Sequence, residues 1–170
     1  MTEGSTSAFE RLRQDHQAVL AQLAAFEAVV TALKEDPESR PVPALHDFTA
    51  FIEGEVWTHF HAEEEALFPL IKDLFPAENA PIIGGPVFVL TEEHTVLRRL
   101  VARTKENLEK WEAREPDARD AFMLVAPQVV RAFQKHIYKE DNIVFRLAET
   151  YLTPEARRDL EAAFARIHPE

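Results

Sequence analysis

Residues 59–69 read HFHAEEEALFP and set an imidazole, His59, four residues before a carboxylate, Glu63, inside an apolar helical pattern. Residues i and i+4 lie one above the other on an α-helix, so the two side chains enter the same small volume, as a chelating pair requires. At about 100° per residue, the face that carries His59 also carries Leu45, Phe48, Ile52, Glu55, Val56, Glu63, Leu67 and Leu70. A carboxylate among Leu, Ile and Phe costs several kcal/mol unless it is neutralised, paired or metal-bound. The stretch therefore predicts half of a metal site on the inner stripe of a long helix.

The rest of the chain supplies partners for it. A first helix is expected over about 8–34, with His16 on the face of Phe9, Leu12, Val19, Leu20, Leu23 and Val30, and with Glu27 as a polar exception. Asp36 to Pro43, with three prolines, reads as a linker. The second helix then runs over about 43–74 and stops before Pro76. Residues 76–86, with Pro76, Pro81, Gly84, Gly85 and Pro86, read as an irregular connection. A third helix over about 86–115 turns His94 to the side of Val87, Leu90, Leu97 and Val101, and Pro116 ends it. A fourth, over about 117–152, groups His136 and Glu140 with Phe122, Val125, Val129, Phe133, Ile143 and Leu147, and a kink or break is expected at Pro127. Thr153-Pro154 is an N-cap followed by proline at the first helical position, which opens a short helix to about Ile167. HFHAEEEALFPLI in the second helix is echoed by HIYKEDNIVFRLA in the fourth, which suggests a pseudo-repeat of two helix pairs.

Four long amphipathic helices with short connections predict an all-α fold: an antiparallel up-down-up-down four-helix bundle with a short C-terminal helix. Residues 1–7 read as a tail, 8–152 as the bundle, and 153–170 as the C-terminal helix and its end. A hydrophobic fraction of 46% over 170 residues is enough for one sizeable core. No stretch is read as long and apolar enough to span a membrane, and Met1 to Arg13 is too polar for a signal peptide, so a cytoplasmic protein is expected. A net charge of −11 argues against nucleic-acid binding, which needs Lys and Arg on phosphates.

In the expected topology His16, His59, Glu63, His94, His136 and Glu140 converge at one level. Two metal ions are then held by two terminal imidazoles each, with both glutamates bridging and open positions left for dioxygen, peroxide or nitric oxide. Imidazole with carboxylate suits iron, manganese or zinc. With no Cys in the chain, thiolate zinc sites and Cys-ligated clusters are excluded. One His-x-x-x-Glu pair means little in a Glu-rich chain. Two pairs, each joined by a further His on the preceding helix, outweigh the alternative of a metal-free bundle with satisfied core histidines.

The segment HFHAEEEALFP resembles the HxxxEExxLFP motif of the hemerythrin-like, or HHE cation-binding, proteins, and HIYKEDNIVF resembles their second motif. With Asp15-His16 and Glu93-His94, the resemblance covers about residues 8–152. It implies a four-helix bundle around a non-haem di-iron centre. In that centre His59 and His136 would be terminal ligands, Glu63 and Glu140 bridging carboxylates, and His16 and His94 single ligands from the first and third helices. The oxygen carriers of the family bring two His four residues apart from the third helix, whereas Leu90 and Arg98 flank His94 here. The final pair is His-x-x-x-Glu where the carriers have a longer spacing ending in Asp. Four His with two Glu looks more like the bacterial di-iron proteins of nitric-oxide stress and iron-centre repair. The ferritin signature Glu-x-x-His is absent, which disfavours a storage cage.

Two functional readings share these ligands: a protein that binds or senses dioxygen or nitric oxide or donates iron, and an oxidoreductase that consumes peroxide or nitric oxide. A metal-free interaction module is the third. The other titratable and aromatic residues are assigned lesser roles. His61 lies about 200° from His59 and is expected at the surface. His46 and His168 are expected to be bystanders, and Glu64 and Glu65 a solvated helix edge. Glu55 is expected either to hold a ligand imidazole or to pair with Arg98. Trp57 and Tyr138 are expected to pack. No Gly-rich phosphate loop or Ser-His-Asp arrangement is visible.

Overall fold

The computed structural model describes residues 7–73 and 80–167. Among them every regular element is helical and none is a strand. The helices are α1 (Ala8–Glu35), α2 (Pro43–Phe51), α3 (Trp57–Ala62), α4 (Phe68–Asp73), α5 (Ala80–Glu112), α6 (Ala118–Lys139), α7 (Phe145–Tyr151) and α8 (Pro154–Ile167). Three π-helical turns, Ile52–Val56, Glu63–Leu67 and Glu140–Val144, join α2, α3 and α4 into one helical run and α6 to α7 into another.

Local chemistry sets the ends. Ser7 and Glu10 form a reciprocal capping box at the start of α1, and the Ala8 amide donates to both carboxylate oxygens of Glu161 from α8, at 3.0 Å each. At the other end Arg119 of α6 donates to the carbonyls of Leu33 and Asp36, and the Ser39 hydroxyl donates to Leu33 as well. These bonds satisfy orphan C-terminal carbonyls of α1 and tie it to α6. Thr153 caps α8 through its hydroxyl, as its sequence predicts. The sequence reading left residues 76–86 irregular, but the chain is helical from Ala80 with Pro86 inside α5; residues 76–79, and the tail at 1–6, lie outside the described residues. Pro127 breaks nothing, because α6 runs through it from Ala118 to Lys139.

The π turns account for the misassigned inner faces. A π turn holds an extra residue, so every position after it moves on by one. From within Glu140–Val144 onward, Ile143 is 45% exposed, and Val144 and Ala148 take the buried places expected for Ile143 and Leu147. Past Glu63–Leu67, Ile71 is buried where Leu70 was expected, and Phe68 turns inward to stack on His94. On α1 the inner stripe takes Phe26 and leaves Glu27 exposed.

Helix α1 is by length and composition apolar enough to cross a membrane, contrary to the sequence expectation. Its Phe9, Leu12, Val19, Leu23, Phe26, Val30 and Leu33 are here buried among the other helices, while Gln17, Gln22 and Glu27 face out; a core helix passes the same test as a spanning one.

Apolar packing falls into two clusters. One contains Val19, Leu23, Phe26, Phe48, Ile52, Phe60, Phe122 and Phe133; the other contains Phe9, Leu12, Leu67, Phe68, Val144, Phe145, Leu160 and Phe164. Buried histidines and glutamates lie between them. Gly54, in the first π turn, has no atom within 4 Å of where a Cβ would stand apart from its chain neighbours and its own helix backbone. Gly54→Ala is expected to raise stability by about 0.4–1 kcal/mol through the unfolded state, read as a shift of the urea midpoint at unchanged slope.

Candidate metal centre

All six residues singled out in the sequence are buried in one polar layer: His16, His59, Glu63, His94, His136 and Glu140. They form two groups that share both glutamates. The first is His16, His59, Glu63 and Glu140; the second is Glu63, His94, His136 and Glu140. Within each group one nitrogen or oxygen per residue lies within 4.8 Å of all the others. The Nε2 atoms of His16 and His59 are 3.0 Å apart, and those of His94 and His136 are 3.1 Å apart. Glu63 spans the groups, Oε1 at 3.4 Å from His59 and Oε2 at 3.4 Å from His94. Glu140 does the same, Oε2 at 3.2 Å from His16 and Oε1 at 3.2 Å from His136.

The outer nitrogen of every ring is held by a carboxylate from another helix. His16 Nδ1 donates to Asp141 at 2.9 Å, His59 Nδ1 to Asp15 at 3.0 Å, His94 Nδ1 to Glu64 at 2.6 Å and His136 Nδ1 to Glu93 at 3.2 Å. With the proton at Nδ1, each Nε2 presents a lone pair to the interior. Phe60 stacks face to face on His94 with centroids 3.7 Å apart, and Phe145 lies parallel to His16 at 5.4 Å, so the rings cannot rotate out of this arrangement without breaking core packing.

Such a layer calls for positive charge. Neither oxygen of Glu63 or Glu140 accepts a hydrogen bond, though both side chains are fully buried. An orphan buried carboxylate is among the most costly groups a core can hold. Six carboxylates (Asp15, Glu63, Glu64, Glu93, Glu140, Asp141) face two cations, Arg98 on Glu64 and Lys139 on Glu93. The difference is a formal excess of four negative charges, which two divalent ions would cancel. Without metal, protons do the same work. Burial opposes charge on His16, but its hydrogen bond to Asp141 and the nearby charge of Glu140 outweigh it and raise the ring to about 9. Burial is likewise overcome at His59, raised to about 10 mainly by Glu63 and Asp15, and at His94, raised to about 9 by Glu140 and Glu63. Burial and mutual repulsion push the two glutamates up, yet the surrounding histidines hold Glu63 below its ordinary value and Glu140 well below it.

A family model described as the hemerythrin HHE cation binding domain matches residues 7–148. The chain belongs to that family. Comparison with curated proteins and with solved structures gives no match. The HHE domain binds cations, and the two His and Glu groups of this chain fit a metal site on the strength of their unpartnered carboxylates and inward lone pairs.

Outside the layer this HHE domain differs from its sequence reading. Asp15, not Glu55, accepts from His59, and Arg98 binds Glu64, not Glu55, which is exposed. Glu64 is not a solvated edge: it holds His94 and takes a forked pair of bonds from Arg98 at 3.1 and 3.3 Å. The four outer carboxylates were missed as a set, although the signal is present: each adjoins a residue of the layer, in Asp15-His16, Glu63-Glu64, Glu93-His94 and Glu140-Asp141. His46 pairs with Glu112 at 2.6 Å, away from the layer, and His168 lies outside the described residues. Trp57 packs on Phe60 beneath the Arg98 guanidinium, and Tyr138 is 65% exposed. His61 is exposed, as expected. His61→Ala is therefore expected to leave metal content per chain unchanged, as measured by elemental analysis.

Proposed function

We propose that the chain is a non-haem di-iron protein, an antiparallel four-helix bundle with α8 packed at one end, that binds dioxygen, nitric oxide or peroxide in the service of oxygen or nitrosative stress sensing or iron handling in the cytoplasm. The observation that carries the reading is the sharing of two buried, hydrogen-bond-free carboxylates between two pairs of imidazoles. His16 with His59, and His94 with His136, would each hold one ion, and Glu63 and Glu140 would join them. Manganese or zinc suits the same donors. Iron in this place supplies Lewis acidity and a reversible one-electron change per ion.

The chain's own residues favour a very small ligand. Val19, Val56, Phe60, Phe133 and Ile137 enclose, with His16, His59 and His136, an apolar cavity of about 10 Å³. That is room for roughly one water-sized molecule. The aliphatic and phenyl walls leave no room for a bulky ligand, and the outer carboxylates keep each ring's proton at Nδ1 so that Nε2 keeps its lone pair toward the interior.

The deciding experiment is elemental analysis of purified protein, joined to visible spectra of the reduced sample before and after dioxygen or nitric oxide. About two irons per chain with a ligand-dependent spectrum supports the proposal. No bound metal after anaerobic loading with ferrous iron would leave a metal-free helical module. Turnover of hydrogen peroxide or nitric oxide by the loaded protein would move the reading from binding to an oxidoreductase.

A further inference from the structure

The two halves of the centre are related by the internal echo of the sequence, and their wiring corresponds bond for bond. His16 to Asp141 matches His94 to Glu64, and His59 to Asp15 matches His136 to Glu93. In the second match the carboxylate comes from the preceding helix of the same half-repeat, in the first it comes from the other half-repeat, and every one adjoins a residue of the layer. The correspondence fails at one level. Both carboxylates behind the second group carry a cation: Arg98 grips Glu64 with two nitrogens, and Lys139 binds Glu93. Neither carboxylate behind the first group is gripped in this way by an Arg or Lys among the described residues. Among the described residues Asp15 and Asp141 form ion pairs with His59 and His16 alone, and Arg13, whose charge reaches Asp141, gives its hydrogen bond to Glu149 at 2.7 Å instead.

We infer that the centre is built unequal, with His16 and His59 forming the high-affinity ion site and His94 and His136 the weaker one, and that Arg98 and Lys139 set the difference. A carboxylate that accepts from Nδ1–H raises the basicity of the opposite nitrogen. When the same carboxylate is also gripped by a guanidinium or an ammonium, its negative charge is shared and its pull on the imidazole proton falls. The fixed cation also stands close enough to repel an incoming ion, in a layer where burial limits screening. Both effects act in one direction, against the second group. Arg98 is fixed in this role by packing as well as charge, since its guanidinium lies 5.4 Å from the centre of Phe60 and 5.7 Å from that of Trp57. Arg98 and Lys139 are positioning residues: neither belongs to the ligand groups.

The inference rests on the metal-centre reading but fails separately from it. Apo protein is titrated with Zn(II), following binding by calorimetry. Two resolved steps are expected. Asp15→Asn and Asp141→Asn are each expected to weaken the tight step by about 10- to 100-fold, the usual cost of losing an outer partner of a ligand imidazole, and to leave the weak step in place. Arg98→Gln with Lys139→Gln is expected to tighten the weak step and close the gap, whereas Arg98→Lys with Lys139→Arg keeps both charges and the wild-type gap. Two ions bound in a single step that the Gln variants do not alter would overturn the inference and leave the metal centre standing. A tight step that follows the Arg98 and Lys139 variants instead of the aspartates would also overturn it. No Zn(II) and no Fe(II) binding by the wild type would overturn the metal centre itself. Circular dichroism of each variant separates misfolding from altered binding.

Discussion

Glu140→Ala is expected to empty the centre. The residue offers one oxygen to each group, Oε2 toward His16 and Oε1 toward His136, so a single truncation removes a donor from both. Loss of an outer partner alone costs about 10- to 100-fold in affinity, and loss of a shared inner donor is expected to exceed roughly 100-fold per ion. Glu63→Ala should behave alike, since it spans His59 and His94 in the same way. Metal content by elemental analysis, measured with circular dichroism on the same sample, checks this. Retention of a full complement by a folded Glu140→Ala protein would exclude Glu140 as a bridge. The metal-free variant carries a further signature. Glu140 is one of the groups that raise His16 and His94 toward 9, so both rings should titrate at lower pH without it, which NMR of the imidazole protons would report.

Metal and protons compete for the same layer, so the two forms of the protein are expected to respond to pH in opposite senses. In the metal-free chain the folded values of His16, His59 and His94 lie above the ordinary 6.5, at about 9, 10 and 9. A raised value means that folding is favoured while the ring is charged. That contribution is complete below pH 6.5 and is lost as pH climbs toward 9 or 10. Glu63 and Glu140 are lowered from 4.5, so their contribution is present above 4.5 and lost on further acidification. The metal-free protein is therefore expected to be most stable between about pH 4.5 and 6.5. Binding an ion requires the rings to be neutral, so loading at pH 7 should release on the order of three protons per chain and tighten as pH rises. Melting temperatures with Mn(II) and with chelator, taken from pH 5.5 to 8.5, should diverge with rising pH as the metal-free curve falls. Parallel curves, or loading without proton release in a weakly buffered titration, would contradict the assignment of these rings as ligands.

The amino-acid sequence determined the helical class and the chemistry of the layer. Apolar residues at helical spacing marked the long helices, and an imidazole or carboxylate on an apolar stripe is conspicuous because burying it uncompensated is costly. That reasoning reached His16, His59, Glu63, His94, His136 and Glu140, which the structure gathers in one layer. It did not reach the phase of the helices past Glu63 and Glu140. A π turn differs from an α turn by one residue held through backbone geometry, and no side-chain pattern at fixed spacing records it; hence Ile143 and Leu147 were expected inside, where Val144 and Ala148 are found. Nor did it assign Asp15, Glu64, Glu93 and Asp141, because a charged residue one step from the inner stripe reads as solvated until a neighbouring helix presents an imidazole to it. The exchange of bonds between helices, and the cations that back one half of the centre and not the other, join residues as far apart as 16 and 141. Contacts of that separation are fixed by how the helices pack, and only the tertiary structure decides them.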